Sequence, residues 1–155
     1  MSGRFLIRRA SLSEAAVLAT LHAESFGEER WSADQIKDSL TLATTKSWIA
    51  YDEDTPLGFI LCQIVPGETE ILTLCVSPAR RRQRIAEALL RHMMDAVRAD
   101  GGAKIFLEVA ADNHAARKLY EQQGFTVTGT RAGYYKRGAV TVDGVMYGCD
   151  IVKSS

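Results

Sequence analysis

The sequence predicts an α/β fold, a mixed sheet of six or seven strands flanked by about four helices. Three observations carry that prediction. Apolar runs between residues 47 and 76 are joined by turns too short for crossover helices, which makes them antiparallel neighbours. A long amphipathic stretch from about Arg84 to Ala99 then separates two strands, and a crossover of that kind makes them parallel, with a right-handed connection. A shorter helical stretch and two closing strands complete the chain.

Each element has its own signal. Phe5 to Arg8 reads as a short first strand. Ser11 with Glu14 fits a capping box, and Leu12, Ala15, Ala16, Ala19 and Ala23 give the next helix a mostly alanine face. Ser32 and Gln35 repeat the capping signal, continued by Ile36 and Leu40. Trp31, just ahead of that cap, is either a staple against Ile36 or part of a substrate wall. Residues 47–52 form a strand, Glu53-Asp54-Thr55-Pro56 a turn, and Leu57 to Val65 a strand broken at Pro66-Gly67. Glu70 to Val76 follows, and Pro78 stops it. In the long helix, Ile85, Leu89 and Met93 form one stripe, with Ala86, Leu90, Met94 and Val97 beside it; Gly101-Gly102 ends it. In the strand Ile105 to Val109, Leu107 and Val109 share one face, and Phe106 and Glu108 share the other. Asn113 or Asp112 caps a helix through Tyr120 that ends near Gly124. Phe125 to Thr130 and Val145 to Val152 are the closing strands. Between them, Gly133-Tyr134-Tyr135-Lys136-Arg137-Gly138 reads as a mobile aromatic loop.

Composition bounds the function. A chain of 155 residues is expected to form one domain over residues 1–155, burying roughly 70% of its unfolded surface. With 19 basic and 19 acidic residues the net charge is zero, which argues against direct nucleic-acid binding. Cys62, Cys75 and Cys149 are odd in number and lack C-x-x-C spacing, as expected of buried thiols in a reducing compartment. His22, His92 and His114 form no ligand pair, so no metal site is expected. There is no 18-residue apolar run and no signal-peptide core, so the expected address is the cytoplasm, away from membranes. Monomer and weak homodimer both remain open.

The run Cys75-Val76-Ser77-Pro78-Ala79-Arg80-Arg81-Arg82-Gln83-Arg84-Ile85-Ala86 carries an apolar strand into four arginines within five residues, then into a helix. The first turn of a helix has free N–H groups and the positive end of the peptide dipole, a seat for a pyrophosphate. Arginines add fork-shaped donors. The competing reading is a solvated charge run. There is no G-x-G-x-x-G and no Gly-Lys-Ser/Thr, which disfavours NAD and ATP.

Two side chains near this seat have chemistry to offer. Glu108 is a lone carboxylate in an apolar strand; it is either a surface-facing edge residue or a general base lining a cleft. Tyr120 is either a half-buried helix tyrosine or an acid, its phenol near ~10 giving a proton to a developing thiolate near ~8.5. Asn113 is a cap, or also binds a ligand lying between two strands. Tyr134 and Tyr135 either pack or close over an extended substrate.

Together Leu107-Glu108-Val109, Asn113, Ala116, Leu119-Tyr120-Glu121, Gly124-Phe125, Gly129, Arg131 and Tyr134-Tyr135, with Trp31-Ser32 upstream, resemble the GNAT superfamily of N-acetyltransferases. Within it they are most similar to the bacterial ribosomal-protein alanine N-acetyltransferase family. The resemblance implies a GNAT-like sheet, acetyl-CoA as acetyl donor with CoA as product, and a protein N-terminus, that of a ribosomal protein included, as acceptor. It implies direct attack by the amine in a ternary complex, with Glu108 as base and Tyr120 as acid. It places the cofactor on Leu74, Val76, Arg81, Arg82, Gln83, Arg84, Ala86, Glu87, Asn113 and Tyr120, with strand amides over 71–76 holding the thioester carbonyl. It places the acceptor on Trp31, Glu108, Tyr134 and Tyr135. Two stretches depart from the family's pattern: Arg84 stands where glycine is usual, and Asp143-Gly144-Val145-Met146-Tyr147 stands where relatives usually carry Asp, Ala, two residues and Met. A small-molecule amine acetyltransferase and a non-catalytic acyl-CoA module are the competing readings.

Overall fold

The computed structural model describes residues 5–27, 30–80 and 84–151. The strands are β1 (Leu6–Arg9), β2 (Thr45–Asp52), β3 (Thr55–Val65), β4 (Glu68–Val76), β5 (Lys104–Ala110), β6 (Thr126–Arg137) and β7 (Val140–Asp150). The helices are α1 (Ala15–Phe26), α2 (Ala33–Leu40), α3 (Ile85–Ala99) and α4 (His114–Gln122), with 3-10 turns at Leu12–Glu14 and Pro78–Arg80. All seven strands form one sheet in the order β1-β2-β3-β4-β5-β7-β6. β4 and β5 are parallel, as the crossover helix requires, and every other neighbouring pair is antiparallel.

Two hydrophobic clusters occupy the two faces. Ile85, Leu89, Leu90, Met93 and Val97 of α3 pack with Ile60, Leu107, Val109, Phe125 and Tyr147 on one face. On the other, Ala15, Leu18 and Leu21 of α1 and Ile36 of α2 pack on Ile49, Phe59, Leu61 and Cys75. The α1 face corrects the sequence reading. Ala15, Leu18, Leu21 and His22 are buried, whereas Leu12 is 44% exposed and Ala16 is exposed. The larger leucines win the buried positions because they return more apolar area.

Both capping boxes form. Glu14 accepts from the Ser11 amide (2.8 Å), and Gln35 and Ser32 satisfy each other's amides (2.8 and 3.1 Å). Glu14 also takes both arms of Arg8 (3.0 and 2.7 Å) and the Tyr51 hydroxyl (2.7 Å), tying α1 to β1 and β2. Burial alone would raise its carboxyl, but these donors outweigh it and hold the group at about 2.

Several strand boundaries differ from expectation, β2 and β4 each starting two residues early among them. Thr55 and Pro56 belong to β3, because Glu53 takes a left-handed conformation (φ 54°) and completes the turn with Asp54. The segment expected as a mobile loop over 133–138 is strand through Arg137, and β7 starts at Val140 rather than Val145. The long β6–β7 hairpin absorbs the irregular sequence in a bulge between Arg131 and Tyr135. There Gly133 has φ 59° and donates its N–H to Asp143 Oδ1 (2.8 Å). Val152 lies outside the described residues. Of the cysteines, Cys62 and Cys75 are buried as expected, but Cys149 is only half-buried.

Tyr147 is fully buried. Its hydroxyl donates to Glu121 Oε2 (2.6 Å) and accepts from Arg117 Nε (2.9 Å). A polar pair on α4 thus makes room for a phenol in the core.

Candidate active site

The site begins where two strands part. β4 pairs with β5 only over Glu68–Ile71 and Lys104–Leu107, and beyond that the strands diverge. The Ser77 amide donates to the Leu57 carbonyl on β3 (2.7 Å). Strand amides alternate in direction, so those of Thr73 and Cys75 also face β3, and those of Leu74 and Val76 face the gap. A cavity of about 990 Å³ occupies the gap. Ser25 and Phe26 of α1 line it from one face, and Ile85, Ala86 and Glu87 of α3 with Asn113 and Tyr120 line it from the other. The cavity therefore passes through the plane of the sheet.

The start of α3 opens onto this cavity. The first helical bond runs from the Ala88 amide to the Arg84 carbonyl (3.0 Å), so the amides of Ile85, Ala86 and Glu87 have no acceptor within the helix. Arg84 is left-handed, with φ 60° and ψ 23°. An L side chain in that conformation costs about 1 kcal/mol or more, and glycine would not. Glu87 is held by Gln123 Nε2 (3.1 Å), joining the start of α3 to the C-terminal end of α4. Asn113 does cap α4, accepting from the Ala116 amide (3.2 Å), and it lines the cavity as well.

All the described residues expected to hold the cofactor line this one cavity: Leu74, Val76, Arg84, Ala86, Glu87, Asn113 and Tyr120. Arg81, Arg82 and Gln83 lie outside the described residues. The sequence reading missed Ser25, Phe26 and Lys118 as lining residues. Helix patterning marks such positions only as half-exposed, and nothing local shows that a cavity faces them. Arg80 also lines it and pairs with Asp52 (3.5 Å).

Tyr120 is 6% exposed, edge-on to Phe125 with ring centroids 5.5 Å apart. Burial, then the Cys62 and Cys75 thiols, push its phenol well above the usual tyrosine value. The expectation of an ordinary phenol is thereby corrected: Tyr120 holds its proton more firmly.

Glu108 lies on the face of β5 opposite Leu107 and Val109, as alternation requires, and does not line the cavity wall. Its side chain is 17% exposed, and Arg131 Nε approaches Oε2 at 3.3 Å. The long hairpin brings Tyr134 and Tyr135 to the same flank. Their rings meet edge to face at 5.1 Å. Arg131 covers the Tyr134 ring (4.8 Å) and Arg137 covers the Tyr135 ring (5.6 Å). Arg137 also pairs with Asp112 (3.7 Å). Burial, then the Glu108 charge, raise the Tyr135 phenol. Tyr134, at 52% exposure, is the aromatic left in solvent.

Trp31 sits apart from this cluster, packed on the α1 side. Its amide donates to His22 Nδ1 (3.1 Å), and its ring stacks on His22 at 4.5 Å. Phe26 covers the other imidazole face at 4.4 Å. Burial lowers His22 to about 4.

The sequence model of the acetyltransferase (GNAT) family matches residues 15–125. The chain is 32% identical over 114 residues to the ribosomal protein bS18-alanine N-acetyltransferase of Escherichia coli, covering 74% of this chain and 73% of that protein. It is 32% identical over 129 residues to the N-alpha-acetyltransferase RimI of Mycobacterium tuberculosis, covering 80% of each. The crystal structure of the ribosomal-protein alanine N-acetyltransferase from Escherichia coli superposes with a TM-score of 0.88 at 25% identity, covering 98% of this chain and 97% of that one. Among the described residues no helix is long and apolar enough to cross a membrane.

Proposed function

The chain belongs to the acetyltransferase (GNAT) family, and from that premise we propose that it acetylates the free N-terminal α-amine of a protein, with an alanine-initiated ribosomal protein as acceptor and residues 1–155 acting as one domain. Acetyl-CoA is the acetyl donor. The observation that carries the reading is the cavity in the gap of the sheet, with the amides that open α3 on its wall; outside its lining, Glu108 on β5 and the Tyr134–Tyr135 pair on β6 share the flank held by Arg131.

The residues present suit the donor. The amides of Ile85, Ala86 and Glu87 and the helix dipole suit a pyrophosphate, with Arg80 and Arg84 adding positive charge. The inward amides of Leu74 and Val76 suit an extended amide-bearing arm and a thioester carbonyl. When bound, acetyl-CoA supplies an activated thioester whose sulfur leaves as a thiolate.

The chain supplies the proton transfers. Glu108 receives the proton of the incoming ammonium, a modest task because an α-amine has a reference pKa near ~8 and is already partly neutral close to neutral pH. Tyr120 retains its proton at neutral pH and delivers it to the departing sulfur. Tyr134 and Tyr135 flank the acceptor's backbone, and Trp31 forms the wall on the α1 side. No cysteine acts as nucleophile; burial raises the Cys62 thiol, away from the reactive thiolate.

The test is mass spectrometry of an alanine-initiated peptide incubated with acetyl-CoA, beside the same peptide already blocked at its N-terminus. Acetylation of the free peptide alone is expected. Absence of product across varied free N-termini, with turnover of small amines instead, would overturn the choice of acceptor.

A further inference from the structure

Glu108 is seated by two residues on neighbouring strands. Register places Glu108 opposite Met146, and Gly144 opposite Arg131 one step further along the same face. Glu108 and Arg131 are therefore diagonal across β7 and meet only over Gly144. A Cβ at position 144 would collide with Glu108 Oε2. The bare glycine is a notch, and Oε2 lies in it. Oε2 is fully buried and accepts no hydrogen bond among the described residues. Arg131 Nε stands 3.3 Å from it, near but off the hydrogen-bonding direction. Oε2 therefore contributes nothing to the 17% of surface that the Glu108 side chain keeps exposed, which lies on the rest of the side chain.

We propose that Arg131 is a positioning residue: over the Gly144 notch it holds Oε2 of Glu108 and leaves Oε1 as the oxygen that takes the acceptor's proton. This rests on the reading of Glu108 as the base. The arrangement has two consequences. The carboxylate keeps a nearby cation without surrendering its working oxygen. The same guanidinium lies on the Tyr134 ring, so an acceptor pressing on Tyr134 also presses on the group that fixes the base. A catalytic contact that is long at rest and tightens on substrate binding is an ordinary arrangement.

Steady-state kinetics with an alanine-initiated peptide at saturating acetyl-CoA, together with thermal melts, test it. Arg131→Met should lower kcat roughly tenfold, less than the ~100-fold expected for losing the base in Glu108→Gln. The peptide KM should stay within about twofold, since the lost contact serves the reaction rather than binding. Arg131→Lys should recover part of the rate by restoring the charge. Gly144→Ala should also lower kcat, by displacing the carboxylate. Wild-type kcat in Arg131→Met, or a change confined to KM, overturns the seat while leaving Glu108 as base if Glu108→Gln still loses rate. Wild-type kcat in Glu108→Gln overturns both. A loss in Arg131→Met that Lys does not relieve, matched by an equal loss of stability, also overturns the positioning role.

Discussion

His22 makes the stability of this protein depend on pH in a specific window. Its imidazole is 2% exposed, sandwiched between Phe26 and Trp31. Its Nδ1 accepts the Trp31 amide, so the ring's proton is on Nε2. A protonated ring could not accept that bond, and its charge would be buried. The folded protein therefore binds this proton only near pH 4, against 6.5 in the unfolded chain. Between these values the unfolded state holds more protons, so stability falls as pH falls. The contribution is complete above pH 6.5 and lost by about pH 4, and the difference amounts to about 2 to 3 kcal/mol. Urea titrations at pH 7, 5.5 and 4.5 measure it for the wild type and for His22→Gln, whose amide oxygen can replace the acceptor but does not titrate. The variant should be less stable at pH 7 and lose much less stability on acidification. Parallel losses in the two proteins would refute the assignment of this slope to His22. Because the bond holds the chain at Trp31, acidification should also loosen the connection between α1 and α2.

Three further predictions concern single contacts. Arg84→Gly removes a left-handed arginine and should stabilise the protein by about 1 kcal/mol in denaturant titration, while weakening acetyl-CoA binding through loss of the guanidinium. Tyr147→Phe strips a buried hydroxyl from Glu121 and Arg117 and should cost about 1 kcal/mol, read as a lower melting temperature. Glu14→Gln loses charge-assisted bonds from Arg8 and Tyr51. Its contribution in the wild type is present above the usual carboxylate value of 4.5 and lost as pH falls toward about 2, so the variant should show a flatter stability profile in that range.

Much of this was legible in the sequence, for identifiable reasons. The amphipathic period of 85–99 and the short turns before it determine which strands are parallel and where the gap opens. Leu74, Val76, Ala86, Glu87, Asn113 and Tyr120 meet in one cavity because they lie at the ends of elements that the gap exposes. What escaped was long-range. The hairpin of β6 and β7 hid behind glycines at 133 and 138, which read as a loop when their role is a bulge and a tip. The alanines of α1 promised a face that leucines at 18 and 21 occupy, because only packing decides between overlapping stripes. The meeting of Glu108 with Arg131 over Gly144 depends on register across three strands, which no local pattern encodes.

The donor is proposed to bind in the gap between β4 and β5, on the amides of Leu74 and Val76 and on those that open α3. Amide hydrogen exchange with and without acetyl-CoA tests this most directly. Protection concentrated at Leu74, Val76, Ile85, Ala86 and Glu87 is the predicted result. Saturating acetyl-CoA that leaves those five amides exchanging as before, or protects a different face, would contradict it.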